Sequence, residues 1–126
     1  MGRGLTDEEI ERYDHIARSV AERVRIHSVR ILPRGSSGMT LGRHVLLRRG
    51  EEDRKVLIAH ELVHAQQFSL RGGPRFLRRY LRDYASALTR LKRHKPAYRA
   101  IPAEAEAREL AGRWAQGRSD VADGDH

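Results

Sequence analysis

Cysteine is absent from all 126 residues of the chain. That removes a disulfide scaffold, a thiolate zinc site and a cysteine nucleophile together, so a metal here would be held by His and carboxylate. Large aromatics are scarce, with two Phe, four Tyr and one Trp, and Leu, Val, Ile and Ala must build most of the core. No apolar run approaches the ~20 residues that span a bilayer, and the first residues lack the apolar stretch of a signal peptide. A cytoplasmic protein is the default expectation, with export by a non-classical route left open. The length suits one domain.

Acidic residues are almost missing from one segment. Between Leu70 and Arg99 ten Arg and Lys residues face the single acid Asp83, a balance of +9 that exceeds the whole chain's +8. Basicity therefore belongs to one stretch. It would attract an anionic partner, whether nucleic acid, an acidic substrate or a membrane surface, or it is simply a solvated helix face. Tyr80 and Tyr84 fall on the apolar stripe of that stretch, which leaves no aromatics at base-stacking spacing. Nucleic-acid contact would then be non-specific.

What is present reads as alternating elements without internal repeats. Thr6 with Glu9 three residues on is a capping box, and Ile10, Tyr13, Ala17, Val20, Ala21 and Val24 keep helical spacing. One helix is expected from there to about Arg23. Residues 24–32 change to β-type alternation, residues 33–38 form a turn, and Met39 to Leu47 reads as a second strand interrupted at Gly42. Together they suggest a two- or three-stranded antiparallel ribbon. Glu51, Glu52 and Asp53 are expected in the first turn of a helix carrying Val56 to Phe68, which Gly72-Gly73-Pro74 ends. The next helix has Leu77, Tyr80, Leu81, Tyr84, Leu88 and Leu91 as its stripe and is broken at His94-Lys95-Pro96. A last helix opens at Pro102 and runs to about Gln116. The tail, 117–126, is polar and expected to be disordered.

The residues that carry chemistry are His60-Glu61-Leu62-Val63-His64, an H-E-x-x-H pattern inside a stretch that reads as helix. Positions i and i+4 share one helix face, about 5–6 Å apart at Cβ, so two imidazoles can converge on one Zn2+. Glu61 is turned about 100° from His60. It can reach a water on the metal without displacing a ligand, and take its proton as the water attacks a carbonyl. With seven His and ten Glu in the chain, random order gives the pattern about 0.03 times. The apolar flanks Leu57-Ile58-Ala59 and Leu62-Val63 argue against accident, because they would bury this polar cluster.

A catalytic zinc needs a third protein ligand and an open position. No His follows at short range. On the last helix Ala103, Ala107, Leu110, Ala111 and Trp114 define the apolar stripe, and Glu104 lies about 60° from its centre, Glu106 about 100° and Glu109 about 160°. Glu104 therefore faces inward, where a carboxylate is costly unless paired or on a metal. Glu106 is the fallback ligand, and a surface Glu104 beside Arg108 the plain alternative. Gln67, three residues after His64, either braces the site or packs.

The H-E-x-x-H pattern with Glu104 downstream resembles the gluzincin zinc metallopeptidases. Residues 101–107 resemble the gluzincin segment around that Glu, residues 38–47 and 57–67 resemble the small HExxH core domain of bacterial metallopeptidases, including those associated with contractile injection systems, and the small size is similar to that of minimal gluzincins. The resemblance covers residues 38–67 and 96–110, about half the chain. It implies a zincin-like α+β domain over residues 1–116: an N-terminal helix, a short antiparallel β ribbon, the H-E-x-x-H helix and two more helices. It also implies peptide-bond hydrolysis with one Zn2+ per chain on His60, His64 and Glu104, and Glu61 as base. Tyr98 or His94 would stabilise the oxyanion, and Met39 to His44 would pair with an extended peptide or protein substrate, which the charge suggests is acidic. Arg108 stands where the family usually has an acid, which moves support of a ligand His to Glu106 or Asp83. A zincin-fold module with little proteolysis, toxin-associated or latent, and a nucleic-acid-associated protein like the SprT-like peptidases are the rival readings. His15, His27, His44 and His126 carry no functional expectation.

Overall fold

The computed structural model describes residues 2–32, 36–91, 101–116 and 118. Thr6 opens the first helix, α1 (Asp7–Arg12), as its capping box requires. Its Oγ1 accepts from the Glu9 amide at 3.1 Å, and Glu9 Oε1 accepts from the Thr6 amide at 2.9 Å. Replacing Thr6 by Ala is expected to cost about 0.5–2 kcal/mol, read as a lower denaturation midpoint with an unchanged slope.

The single helix expected to Arg23 is two. α1 stops at Tyr13 and α2 spans Arg18–Arg23. The reason lies far along the chain: Trp114 Nε1 donates to the Arg12 carbonyl at 2.7 Å, which in a continuing helix would accept from Ile16. Tyr13 turns into the core at 1% exposure and its ring packs on Trp114 at 5.0 Å. The Ala17 amide, starting α2, donates to Gln66 Oε1.

The sheet also departs from the expected ribbon. Among the described residues it has four strands, β1 (Arg3–Gly4), β2 (Arg25–Val29), β3 (Gly38–Leu41) and β4 (His44–Arg48), in the order β1-β2-β4-β3. β1 with β2 and β3 with β4 are antiparallel, but β2 and β4 are parallel, with Ile26 opposite Val45. The stretch read as one strand interrupted at Gly42 is a hairpin. Leu41 pairs with His44 across a two-residue loop, and Gly42 takes the left-handed φ of +63° that suits glycine there. This folding back puts β4 in the middle of the sheet, where Val45 and Leu47 are fully buried, and leaves β3 at the edge.

Glu51, Glu52 and Asp53 precede the next helix instead of forming its first turn, because α3 begins at Lys55. Glu51 pairs with Arg54 and Glu52 accepts from Ser28, so these acids brace the turn after β4. α3 (Lys55–Arg71) ends at Gly72, φ +70°. It is the central element, packed against the sheet, against α4 (Gly73–Leu91) and against α5 (Pro102–Ala115). Ile58, Ala59, Leu62 and Val63 are buried on it, and each large aliphatic contributes about 1.5–3 kcal/mol.

α5 has the phase the sequence indicates, with Pro102 in its first turn and Ala103, Glu104, Ala107, Ala111 and Trp114 buried. α4 does not. Among its described side chains Phe76 and Ala87 are buried, while Leu77, Leu81 and Leu88 are 39%, 55% and 36% exposed. Phe76 stacks edge-on against Phe68 at 4.8 Å, which turns the expected stripe by about one residue and points Leu77 and Leu81 into a cleft. Among the described residues no helix is long and apolar enough to cross a membrane. His94 and Tyr98, the break expected at His94-Lys95-Pro96, and the tail apart from Arg118 lie outside the described residues.

Candidate metal centre

The helical period of α3 stacks His60 and His64 with ring centroids 5.0 Å apart. α5 presents Glu104 to them from the opposite side, at 2% exposure. Glu104 Oε1 lies 3.0 Å from His60 Nε2 and 3.0 Å from His64 Nε2. The three donor atoms fall within 4.8 Å of one another, a group that could hold a metal ion. The set fits such an ion chemically: two imidazole nitrogens and one carboxylate oxygen converge, on residues that burial would otherwise leave costly to place there.

Burial opposes charge on both His64 and Glu104, yet their mutual bond outweighs it. The His64 imidazole is pushed up to about 9, with the bond to Glu104 and the fields of Glu61 and Glu104 overcoming its desolvation. Desolvation would likewise raise the Glu104 carboxyl, but the bonds from His60 and His64, the His64 charge and the Tyr80 hydroxyl hold it far below the usual carboxylate range. A metal on Nε2 must displace the proton that His64 carries below about pH 9. Metal binding is therefore expected to release protons and to tighten as pH rises towards 9. Calorimetry in buffers of different ionisation enthalpy measures this, and a proton count of zero at pH 7 would contradict it.

Gln67 fixes the tautomer. Its Nε2 donates to the Ala103 carbonyl at 3.0 Å and to Glu106 Oε1 at 2.8 Å, which leaves Gln67 Oε1 to accept from His64 Nδ1 at 2.7 Å. Nε2 of His64 is thereby the nitrogen turned to the cluster. Glu106 is not a member of the cluster. It accepts from Gln67, and Arg71 reaches it at 3.3 Å, so a carboxylate stands behind His64 through Gln67. Gln67→Ala is expected to weaken metal binding by about 10–100-fold, read by competition with a chromophoric chelator.

Glu61 is 3% exposed and stands apart from the three-ligand cluster. Thr40 Oγ1 of β3 lies 2.8 Å from Glu61 Oε1 and 3.0 Å from the Glu61 carbonyl oxygen. A Cβ added at Gly38 would come within 3.2 Å of the Glu61 side chain, so glycine is what lets β3 lie this close. Beyond Glu61 opens a cleft of about 260 Å³, walled by Met39 and Leu41 on β3, by Phe68 on α3, and by Phe76, Leu77 and Leu81 on α4.

Three contributors escape a reading of the sequence. Tyr80 donates to Glu104 Oε2 at 2.6 Å; it reads as one more residue of an apolar stripe, and the only hint is that a buried phenol needs a partner. Thr40 and Gly38 carry no local signal of a role. Of the remaining histidines, His15 Nε2 donates to the Ala59 carbonyl beneath α3, and burial lowers its pKa. His27 and His44 bond each other at 3.0 Å on the sheet.

Comparison of the chain with family models, with curated proteins and with solved structures gave no match.

Proposed function

We propose that the chain is a zinc-dependent peptidase of the gluzincin type. The observation that carries the reading is a division of labour within five residues of α3. His60 and His64 converge with Glu104, while Glu61 lies outside that group, oriented by Thr40 at the head of the cleft. Two imidazoles and one carboxylate suit Zn2+ among the common divalent ions.

Zinc bound there would supply Lewis acidity, acidifying a water and polarising a carbonyl. Glu61 does the proton work: Thr40 engages its Oε1, and the carboxylate takes a proton from the attacking water and returns it to the leaving amine. Tyr80 holds Glu104 by Oε2, which orients the ligand and leaves Oε1 facing the two histidine Nε2 atoms. Among the described residues β3 ends the sheet, and its outer edge would offer amides and carbonyls on which an extended peptide adds as a strand. The Phe76, Leu77 and Leu81 wall would take an apolar side chain of that peptide. Oxyanion stabilisation by Tyr98 or His94 belongs to the same proposal and rests on the family resemblance.

The cleft's volume of about 260 Å³ is near the lower limit for ligand pockets and favours, as a second reading, a metal-holding module with little turnover. Digestion of an unfolded protein substrate by zinc-loaded protein decides between them. Peptide products that vanish with a chelator and return with added zinc are expected. No products from fully loaded protein would leave the module reading.

A further inference from the structure

Phe76 and Tyr80 have two sides. One faces the metal cleft, and the other forms the wall of a second, larger groove of about 600 Å³ where the end of α3, the start of α4 and the start of α5 meet. Three arginines line it: Arg71 from α3, and Arg75 and Arg79, one turn apart on α4. Asp83 is the single carboxylate in the lining. Arg75 and Arg79 make no ion pair among the described residues, and all three arginines are exposed. Arg71 reaches Glu106 at 3.3 Å, a long contact on the surface that is worth little.

We propose that this groove binds the carboxylates of an acidic peptide segment beside the metal cleft. Guanidinium forks match carboxylates in pairs, and arginines one turn apart present two forks to one extended chain. The groove shares its wall with the cleft, so one peptide can occupy both. Nucleic acid fits less well. Phe76 is 6% exposed, which leaves little of its ring face for base stacking. The groove touches the metal centre through Arg71, Glu106, Gln67 and His64 in series.

The proposal names the substrate class for the peptidase reading and rests on that reading for turnover only, because binding is measured separately. Fluorescence anisotropy on zinc-loaded Glu61→Gln protein would compare three labelled ten-residue peptides, rich in Glu, in Ser or in Lys, with a ten-nucleotide thymidine oligomer. The Glu-rich peptide is expected to bind at least tenfold tighter than the Ser-rich one. Arg75→Glu with Arg79→Glu should remove that preference with zinc content unchanged. Arg30→Glu with Arg49→Glu makes the same change in net charge outside the groove and should cost less than threefold. Equal losses in both double variants would overturn the proposal in favour of a diffuse field. It is also overturned if the oligomer binds tighter than the Glu-rich peptide and is lost with the groove variant. Acidic-peptide binding as expected, with no hydrolysis by wild type, would uphold the groove and sink the peptidase reading alone.

Discussion

Glu61→Gln is expected to keep its metal and lose hydrolysis, with kcat/KM falling by about 10²–10⁴-fold, the usual worth of a general acid–base group. The substitution preserves the shape of the side chain. Thr40 Oγ1 can still donate to the amide oxygen as it does to Glu61 Oε1, and no ligand of the candidate centre is touched. A neutral amide in this buried position also avoids the desolvation of a carboxylate, so the fold should be no weaker. What disappears is the ability to accept a proton. Unchanged hydrolysis would remove Glu61 from the chemistry. Loss of metal together with activity would instead make it part of the binding group, against its position outside the cluster.

Glu104→Ala should have the largest effect on the protein itself. It removes the oxygen on which His60 Nε2 and His64 Nε2 converge, and with it the Tyr80 bond. Metal affinity should fall by much more than the loss expected for Gln67→Ala, since a ligand is deleted instead of its support. The metal-free protein suffers too. His64, pushed up to about 9 mainly against its own burial, loses the carboxylate that makes its charge tolerable. Breaking a buried pair in this way costs about 3–5 kcal/mol, a large part of the roughly 5–15 kcal/mol that holds a domain together. Denaturant titration of chelator-treated wild type and variant measures that loss. Glu104→Gln, which keeps the shape without the charge, separates the ligand's role from collapse of the core. Full metal binding in that variant would contradict the assignment.

The parts of this molecule legible in the sequence are those set by short-range periodicity. The H-E-x-x-H pattern announces two imidazoles on one helix face, and the phase of α5 about Ala107 singles out Glu104 over Glu106 and Glu109, as its burial bears out. Gln67 is visible for the same reason. What the periodicity misses is decided by contacts between distant residues. Trp114 ends α1 by taking the Arg12 carbonyl from 102 positions away. The parallel pairing of β2 with β4 depends on the hairpin at Gly42 turning the chain back. The face of α4 depends on Phe76 meeting Phe68, so Tyr80 reaches Glu104 while Leu77 and Leu81 are left to the cleft. Thr40 and Gly38 matter only because β3 lies against Glu61, and nothing local in residues 38–41 states that neighbour.

Elemental analysis of purified protein, with wild type, His60→Ala and Glu104→Ala prepared side by side, tests the central claim most directly. One zinc per chain in wild type, lost or much weakened in both variants, is the expected result. Wild type that takes up no zinc after reloading, or variants that hold it as well as wild type, would contradict a metal centre built from His60, His64 and Glu104.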